Sequence, residues 1–514
     1  VDRDNQEVAN VYDERNPAII QVLEYIVSTA AKHGITSSIC GQAASDYPDI
    51  VERLVRAGIT SVSVNPDAVY RTRELIYQIE KRHFEAIKKY PMSTIKEIHA
   101  YEIIDSKGYP TIEARLTMDS GLYVVTSVPG ASTVSTKEAV DLRDQDPNRF
   151  FGMGVTHAVS YVNELIAPKI KGASVNKQLE IDKWLSQADG TGNKSRLGVN
   201  TILTISQLLA KAGALSANLS LYKYINQLYK SVYKEEIPVE KIPTPMFNSI
   251  NGGAHANNTL DFQEFQIIPS SSFTFGTAYQ KAVEIFSELK RVLEYRNATT
   301  SVGDEGGFSP NLTTNLDALE ILTETITQKK MRCGLDIFLG IDLASTHFYR
   351  NGQYTIKDKT HSLRQTEYLE FLEAVTKNYS VLVLEDPFAE DDWDGWKKIS
   401  SKVSSNIYII ADEPIRMNKD RLAYAIKEGA CTSFLIKPNQ IGTLTDVLEL
   451  VNIARRGNLT YVVASRSSET NDDFAADLAV AIQSEFVKFG APTRGERVAK
   501  YNRLWQIERD ELGK

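Results

Sequence analysis

Between residues 338 and 488 one pattern repeats: a short apolar run that stops at a single polar or charged side chain. Phe338-Leu339-Gly340-Ile341 stops at Asp342, Val381-Leu382-Val383-Leu384 at Glu385, Tyr408-Ile409-Ile410-Ala411 at Asp412, and Phe434-Leu435-Ile436 at Lys437. Ser465 and Lys488 continue the series as further strand ends. Apolar runs of this length suit strands buried on both faces. From Glu385 onward the stops recur about every 25 residues, the length that one strand, one helix and two loops consume. The rhythm predicts an α/β fold whose last part, residues 241–514, is a β/α barrel with these side chains on one rim.

A chain of 514 residues is too long for one core, so further units precede the barrel. Residues 231–240 form a charged linker. Residues 93–230 open on alternating strands, Ile103 to Glu113 and Tyr123 to Val128, and continue as helices. One helix runs from Thr156 to Ile166 with Pro168 closing it, and another from Val199 to Ala217. Strands first and helices afterwards predict a small α+β capping domain. Its polar segments Gly130-Ala131-Ser132-Thr133 and Asp189 to Ser195 are placed to close over a ligand. Residues 1–91 alternate helix and strand as two β/α units, too few for a closed barrel.

Three carboxylates at neighbouring strand ends, Asp342, Glu385 and Asp412, make an oxygen site for a hard cation, best suited to Mg²⁺. Lys437 next to them has cations nearby, a reason for a depressed pKa and a role as base. Glu305, in Gly303-Asp304-Glu305-Gly306-Gly307-Phe308, and Glu264, in Gln263-Glu264-Phe265, offer acids across the mouth. Arg466, Ser467 and Lys488 supply donors for phosphate and carboxylate. The net charge of −8, with no basic run, argues against a nucleic-acid partner. No apolar run reaches the roughly 18 residues of a membrane span. Cys40, Cys333 and Cys431 are far apart and without CxxC spacing, which points to a reducing cytoplasm and away from a cysteine zinc site.

The words Asp189-Gly190-Thr191, Asn251-Gly252-Gly253-Ala254-His255-Ala256, Gln263-Glu264-Phe265, Gly303 to Phe308, Glu385 to Trp393, Lys437 with Asn439-Gln440-Ile441-Gly442, and Lys488 with Gly490-Ala491-Pro492 follow one another in the order of enolase. Residues 94–512 resemble that family. The resemblance implies reversible dehydration of 2-phosphoglycerate to phosphoenolpyruvate with two Mg²⁺ ions per site, in a homo-oligomer that is at least a dimer. It makes Lys437 the base at C2, and Glu305, helped by Glu264, the proton donor to the leaving hydroxyl. Asp342, Glu385 and Asp412 hold the tighter metal. Substrate is bound by His255, Arg466, Ser467 and Lys488, with Glu264, Glu385 and Asp412 against it.

The chain departs from the family in places. Ala464-Ser465-Arg466-Ser467-Ser468-Glu469-Thr470 has Ser465 where the family has an active-site histidine. The lid reads Pro129-Gly130-Ala131-Ser132-Thr133-Val134, so either Ser132 or Thr133 takes the place of the serine that caps the second metal. Asp412-Glu413-Pro414 replaces Asp-Asp-Leu, and Lys107 and Tyr109 replace an arginine and an asparagine. Loss of one donor costs about 10²- to 10³-fold in rate, so an active enzyme of reduced rate is expected. The alternative is a lapsed enolase-like scaffold or regulator.

In residues 1–91, Asp13-Glu14-Arg15-Asn16-Pro17, Ile39-Cys40-Gly41-Gln42-Ala43, Ser45-Asp46-Tyr47-Pro48 and Val64-Asn65-Pro66-Asp67-Ala68 resemble the last part of the PEP-utilising barrel of phosphoenolpyruvate synthase. That resemblance makes Cys40 a proton donor to an enolate; the plainer reading is a small buried hydrophobe at a strand end. The segment is expected to be the tail of a larger fused polypeptide.

Overall fold

The structure, a computed structural model, describes residues 15–32, 35–88, 93–130, 138–256, 258–403 and 405–512. The chain divides into two compact units, Val1–Pro91 and Met92–Lys514.

In the first unit, helix Pro17–Lys32 begins where the Ala18 N–H donates to Asn16 Oδ1 (2.9 Å), with proline at the first helical position. Its Val27 packs against Ile50 and Leu54 of helix Pro48–Ala57, which Gly58 ends in the left-handed region. Strands β1 (Ser38–Ile39) and β2 (Ser61–Val62) pair in parallel, Ile39 opposite Val62. Both are shorter than their apolar runs suggest, because two strands can form only one ladder. Helix Val69–Lys88 follows. The Asn65 N–H donates to Ser45 Oγ (3.0 Å) and Arg71 Nη2 to the Ser45 carbonyl (2.6 Å), which ties the short helix Gln42–Asp46 after β1 to the segment after β2. Cys40 is exposed just after β1, so it is not the buried hydrophobe of the plainer reading.

The second unit opens on an antiparallel meander, β3 (Ile95–Ile104), β4 (Pro110–Met118) and β5 (Tyr123–Ser127). Ile112, Ala114 and Leu116 of β4 share a core with Ile202, Leu203, Ile205 and Leu209 of helix Val199–Ser216, which is buried along most of its length. Pro168 does not close the helix ahead of it. The chain passes from Thr156–Ser160 through a π-helical stretch, Tyr161–Ile166, into Ala167–Ile170, where Pro168 lies in the first turn. The wider π turn changes the hydrogen-bond register just before the residue that has no N–H to give.

From Thr244 the chain forms a closed eight-stranded barrel whose strands follow one another round the wall in chain order. The strands are β6 (Thr244–Asn251), β7 (Glu264–Pro269), β8 (Ile337–Asp342), β11 (Val381–Glu385), β12 (Tyr408–Ala411), β13 (Ser433–Ile436), β14 (Thr460–Ala464) and β15 (Phe486–Gly490); β9 (Tyr349–Arg350) and β10 (Gln353–Tyr354) form a side hairpin. The barrel is not all parallel, because β7 runs antiparallel to both β6 and β8. From β8 onward each barrel strand is followed by a helix, which buries the outer face. Met246, Ile268, Val383, Ile410, Leu435 and Val462 fill the barrel interior below the mouth.

Among the described residues no single helix is long and apolar enough to cross a membrane. The bent pair Val199–Ser216 and Leu221–Tyr233 passes that test by length and composition.

Candidate active site

Register places the acids. Glu385 at the end of β11 lies opposite Asp342 at the end of β8, and opposite Ile410 of β12, two residues before Asp412. Because β7 is reversed, its first residue, Glu264, sits opposite Asp342 and Asn251 on the same rim where the other strands end. Lys437 and Ser465 directly follow β13 and β14. Lys488 is not at a strand end: β15 runs on to Gly490, and Lys488 pairs with Ala464, one layer deeper. Gly490, at φ +96°, admits the Glu305 carbonyl, which accepts from the Ala491 N–H (2.9 Å); a Cβ there would lie 2.9 Å from that oxygen. Together these elements enclose a cavity of about 330 Å³ that Glu264, Glu305, Asp342, Asp412, Lys437 and Lys488 help to line.

Burial and mutual repulsion set the charges. Lys488 Nζ donates to Asp342 Oδ2 and to both Glu385 oxygens at 2.8 Å and lies 3.3 Å from Glu264 Oε2. Burial disfavours its charge, but the surrounding carboxylates outweigh that and hold the ammonium well above its usual range. Glu385 is pushed well above the carboxylate range by burial and by Asp342. Glu305 is likewise raised by burial and by Glu264. Lys437 departs from its expected depression. Its Nζ donates to Asp412 Oδ2 at 2.6 Å, and that carboxylate outweighs burial and the repulsion of Arg466 and Lys488, so its pKa rises.

Two groupings have the chemistry of a cation site. His255, Glu264 and Glu305 bring one ligand atom each to within 4.8 Å of one another, with His255 Nδ1 3.2 Å from Glu264 Oε1. Asp342, Glu385 and Asp412 are less tightly gathered, since Lys488 engages the first two and Lys437 draws the third. Asp342 Oδ1 and Asp412 Oδ1 are nevertheless buried with no hydrogen-bond donor. Buried acceptors of that kind need a positive partner, and carboxylate oxygens fit a hard divalent ion.

The loop after β14 is built on Arg497, whose fully buried guanidinium donates to Ser465 Oγ (3.0 Å) and to the Arg466 and Ser467 carbonyls (both 2.6 Å). Arg466 reaches the cavity and donates to Glu138 Oε2 (3.3 Å), and Ser467 lines the same space. Lys107 reaches it from the β3–β4 turn and pairs with Asp304 at 2.5 Å. Ser132 and Thr133 lie outside the described residues. Sequence reading missed Glu138, Arg416 and Arg497. Arg497 had a signal, an arginine on the inward stripe of helix Gly495–Glu511 beside Tyr501 and Leu504. Arg416 and Glu138 lie in loops, where periodicity carries no information.

The α+β segment brings Lys107 and Glu138 to the acid-lined mouth of the barrel. The family model for the enolase C-terminal TIM barrel domain matches residues 239–514, more than half of the chain, and that for the enolase N-terminal domain matches residues 95–225; the chain belongs to the enolase family. A third model, the PEP-binding domain of PEP-utilising enzymes, matches residues 1–81.

Proposed function

We propose that residues 93–514 catalyse the reversible, Mg²⁺-dependent dehydration of 2-phosphoglycerate to phosphoenolpyruvate, residues 93–230 capping the barrel of residues 241–514. Lys437 takes the proton from C2 as the carbon–carbon double bond forms. The C3–O bond breaks, and Glu305, with Glu264 beside it, gives the proton with which the hydroxyl leaves as water. Burial and the Glu264 charge raise the pKa of Glu305, the direction a proton donor needs. Asp342, Glu385 and Asp412 would hold one cation, while Arg466, Ser467 and His255 orient the substrate. Mg²⁺ held there would supply the positive charge that makes a carboxylate-adjacent proton removable.

The supporting observation is the convergence of Lys437, Lys488 and five carboxylates at one barrel mouth, with buried acceptor oxygens of Asp342 and Asp412 lacking donors. Purified protein given 2-phosphoglycerate and Mg²⁺ is expected to form phosphoenolpyruvate. A second reading, binding without turnover, is favoured by Ser465, whose hydroxyl is taken up by Arg497. Absence of product at high enzyme concentration, with Mg²⁺ still bound, would put that reading first. Residues 1–91 are proposed to be a fragment of a phosphoenolpyruvate synthase-like barrel, a reading supported by the match of residues 1–81 to the PEP-binding domain of PEP-utilising enzymes.

A further inference from the structure

Arg416, four residues past Asp412, lines the cavity together with Arg466, Ser467 and Lys437. Its backbone sits at φ +44° and that of Met417 at +55°, two successive side-chain-bearing residues in a region such residues rarely adopt. The distorted loop sends the guanidinium inward, leaving the side chain 15% exposed. Arg416 Nη1 donates to Glu138 Oε1 at 2.7 Å, while Arg466 Nη1 donates to Glu138 Oε2 at 3.3 Å. A single carboxylate therefore joins two guanidiniums, one on each oxygen. The other acids beside Arg416 are more distant, Glu413 Oε1 3.4 Å from Nη2 and Glu390 Oε2 3.5 Å from Nε.

Two buried cations side by side require an anion between them. Although Glu413 and Glu390 add charge beside Arg416, the carboxylate that joins the pair gives each fork a single oxygen, a poor match for two forked donors. A phosphoryl group, with nearly two charges and three acceptor oxygens, is a better one. We propose that Arg416 contacts the phosphoryl group of the substrate alongside Arg466, and that Glu138 holds the pair in place until that group replaces its carboxylate. This rests on the reading of the cavity as a site for a phosphorylated three-carbon acid, and it adds a binding residue and an internal competitor to that site.

Arg416→Gln is expected to raise the KM for 2-phosphoglycerate, and the Kd of phosphoenolpyruvate and inorganic phosphate by calorimetry, about 10- to 100-fold, with kcat within about threefold. Arg416→Lys recovers part of the loss. Glu138→Gln tightens binding of both anions, because the competing carboxylate is gone. The double variant separates direct contact from action through Glu138: it stays about 10- to 100-fold weaker than Glu138→Gln alone. Equal affinity of the double and the Glu138→Gln variants overturns the proposal, as does an unchanged Kd in Arg416→Gln or a wild-type protein that binds neither anion. A wild-type protein that binds both anions but forms no product removes the dehydratase reading, and the binding comparison still decides the role of Arg416.

Discussion

Lys488 and a divalent cation compete for the Glu385 oxygens, and replacing the lysine separates the two. Lys488→Met keeps the stem but removes the charge that Asp342, Glu385 and Glu264 share, within 2.8 to 3.3 Å and at 6% side-chain exposure. Leaving a buried charge partner unpaired costs about 3–5 kcal/mol. Glu385 takes up part of that cost by protonation, since burial and Asp342 already raise its pKa. A cation at one hundred times its Kd returns about 2.7 kcal/mol. In the wild type the same cation must first displace an ammonium, so its net stabilisation is smaller. The assay is urea unfolding with and without Mg²⁺ by tryptophan fluorescence, which reports on residues 92–514 alone because all four tryptophans, Trp184, Trp393, Trp396 and Trp505, lie there. The variant is expected to unfold at lower urea without Mg²⁺ and to regain more stability than the wild type when it is added. Equal stabilisation of both proteins would show that the cation does not compete with Lys488, and none in the variant would show that these carboxylates hold no cation.

Glu305→Gln removes the proposed proton donor and is expected to lower kcat about 10²- to 10⁴-fold while phosphoenolpyruvate still binds by calorimetry. Ser465→His should raise the rate of product formation about 10²-fold by restoring a donor at the mouth; an unchanged or lower rate means the pocket is rebuilt around the Ser465–Arg497 bond. Asp472 accepts from Lys211 Nζ (2.7 Å) and from the Ser127 and Phe474 N–H groups, joining β5 to the loop after β14. Burial raises its pKa, but Lys211 and these N–H groups more than offset that and hold it below the usual range. Its stabilisation is therefore complete above the unfolded pKa of about 4 and is lost as pH falls through the folded value. Asp472→Asn is expected to destabilise at pH 7, with the gap to wild type narrowing below about pH 4 in urea titrations.

Much of the rim was visible in the sequence for one reason. A buried parallel strand needs an unbroken apolar run, so a carboxylate or lysine at its end stands out, as at Asp342, Glu385, Asp412 and Lys437. Lys488 broke the rule because its strand continues beyond it, and only the pairing with Ala464 reveals its depth. The reversal of β7 left no trace, since apolar alternation reads the same in both directions. The sign of the Lys437 shift was also out of reach, because it depends on a 2.6 Å contact to Asp412 between neighbouring strand ends. Glu138 and Arg416 act through a long-range pair, which no local pattern encodes, whereas Arg497 showed only its place on the inward stripe of its helix and not the loop carbonyls it holds.

The reversed strand also governs where the molecule tolerates extra length. A segment leaving β7 at Pro269 departs on the face opposite the mouth, where Ser270, Ser271 and Ser272 border a separate hollow with Lys241 and Pro243 at the entry to β6. A peptide grafted between Ser270 and Thr274 would hang below the barrel, away from the carboxylates. The same graft between Gly253 and Gln263 would sit across the mouth, so two loops flanking one short strand offer an engineer opposite ends of the protein.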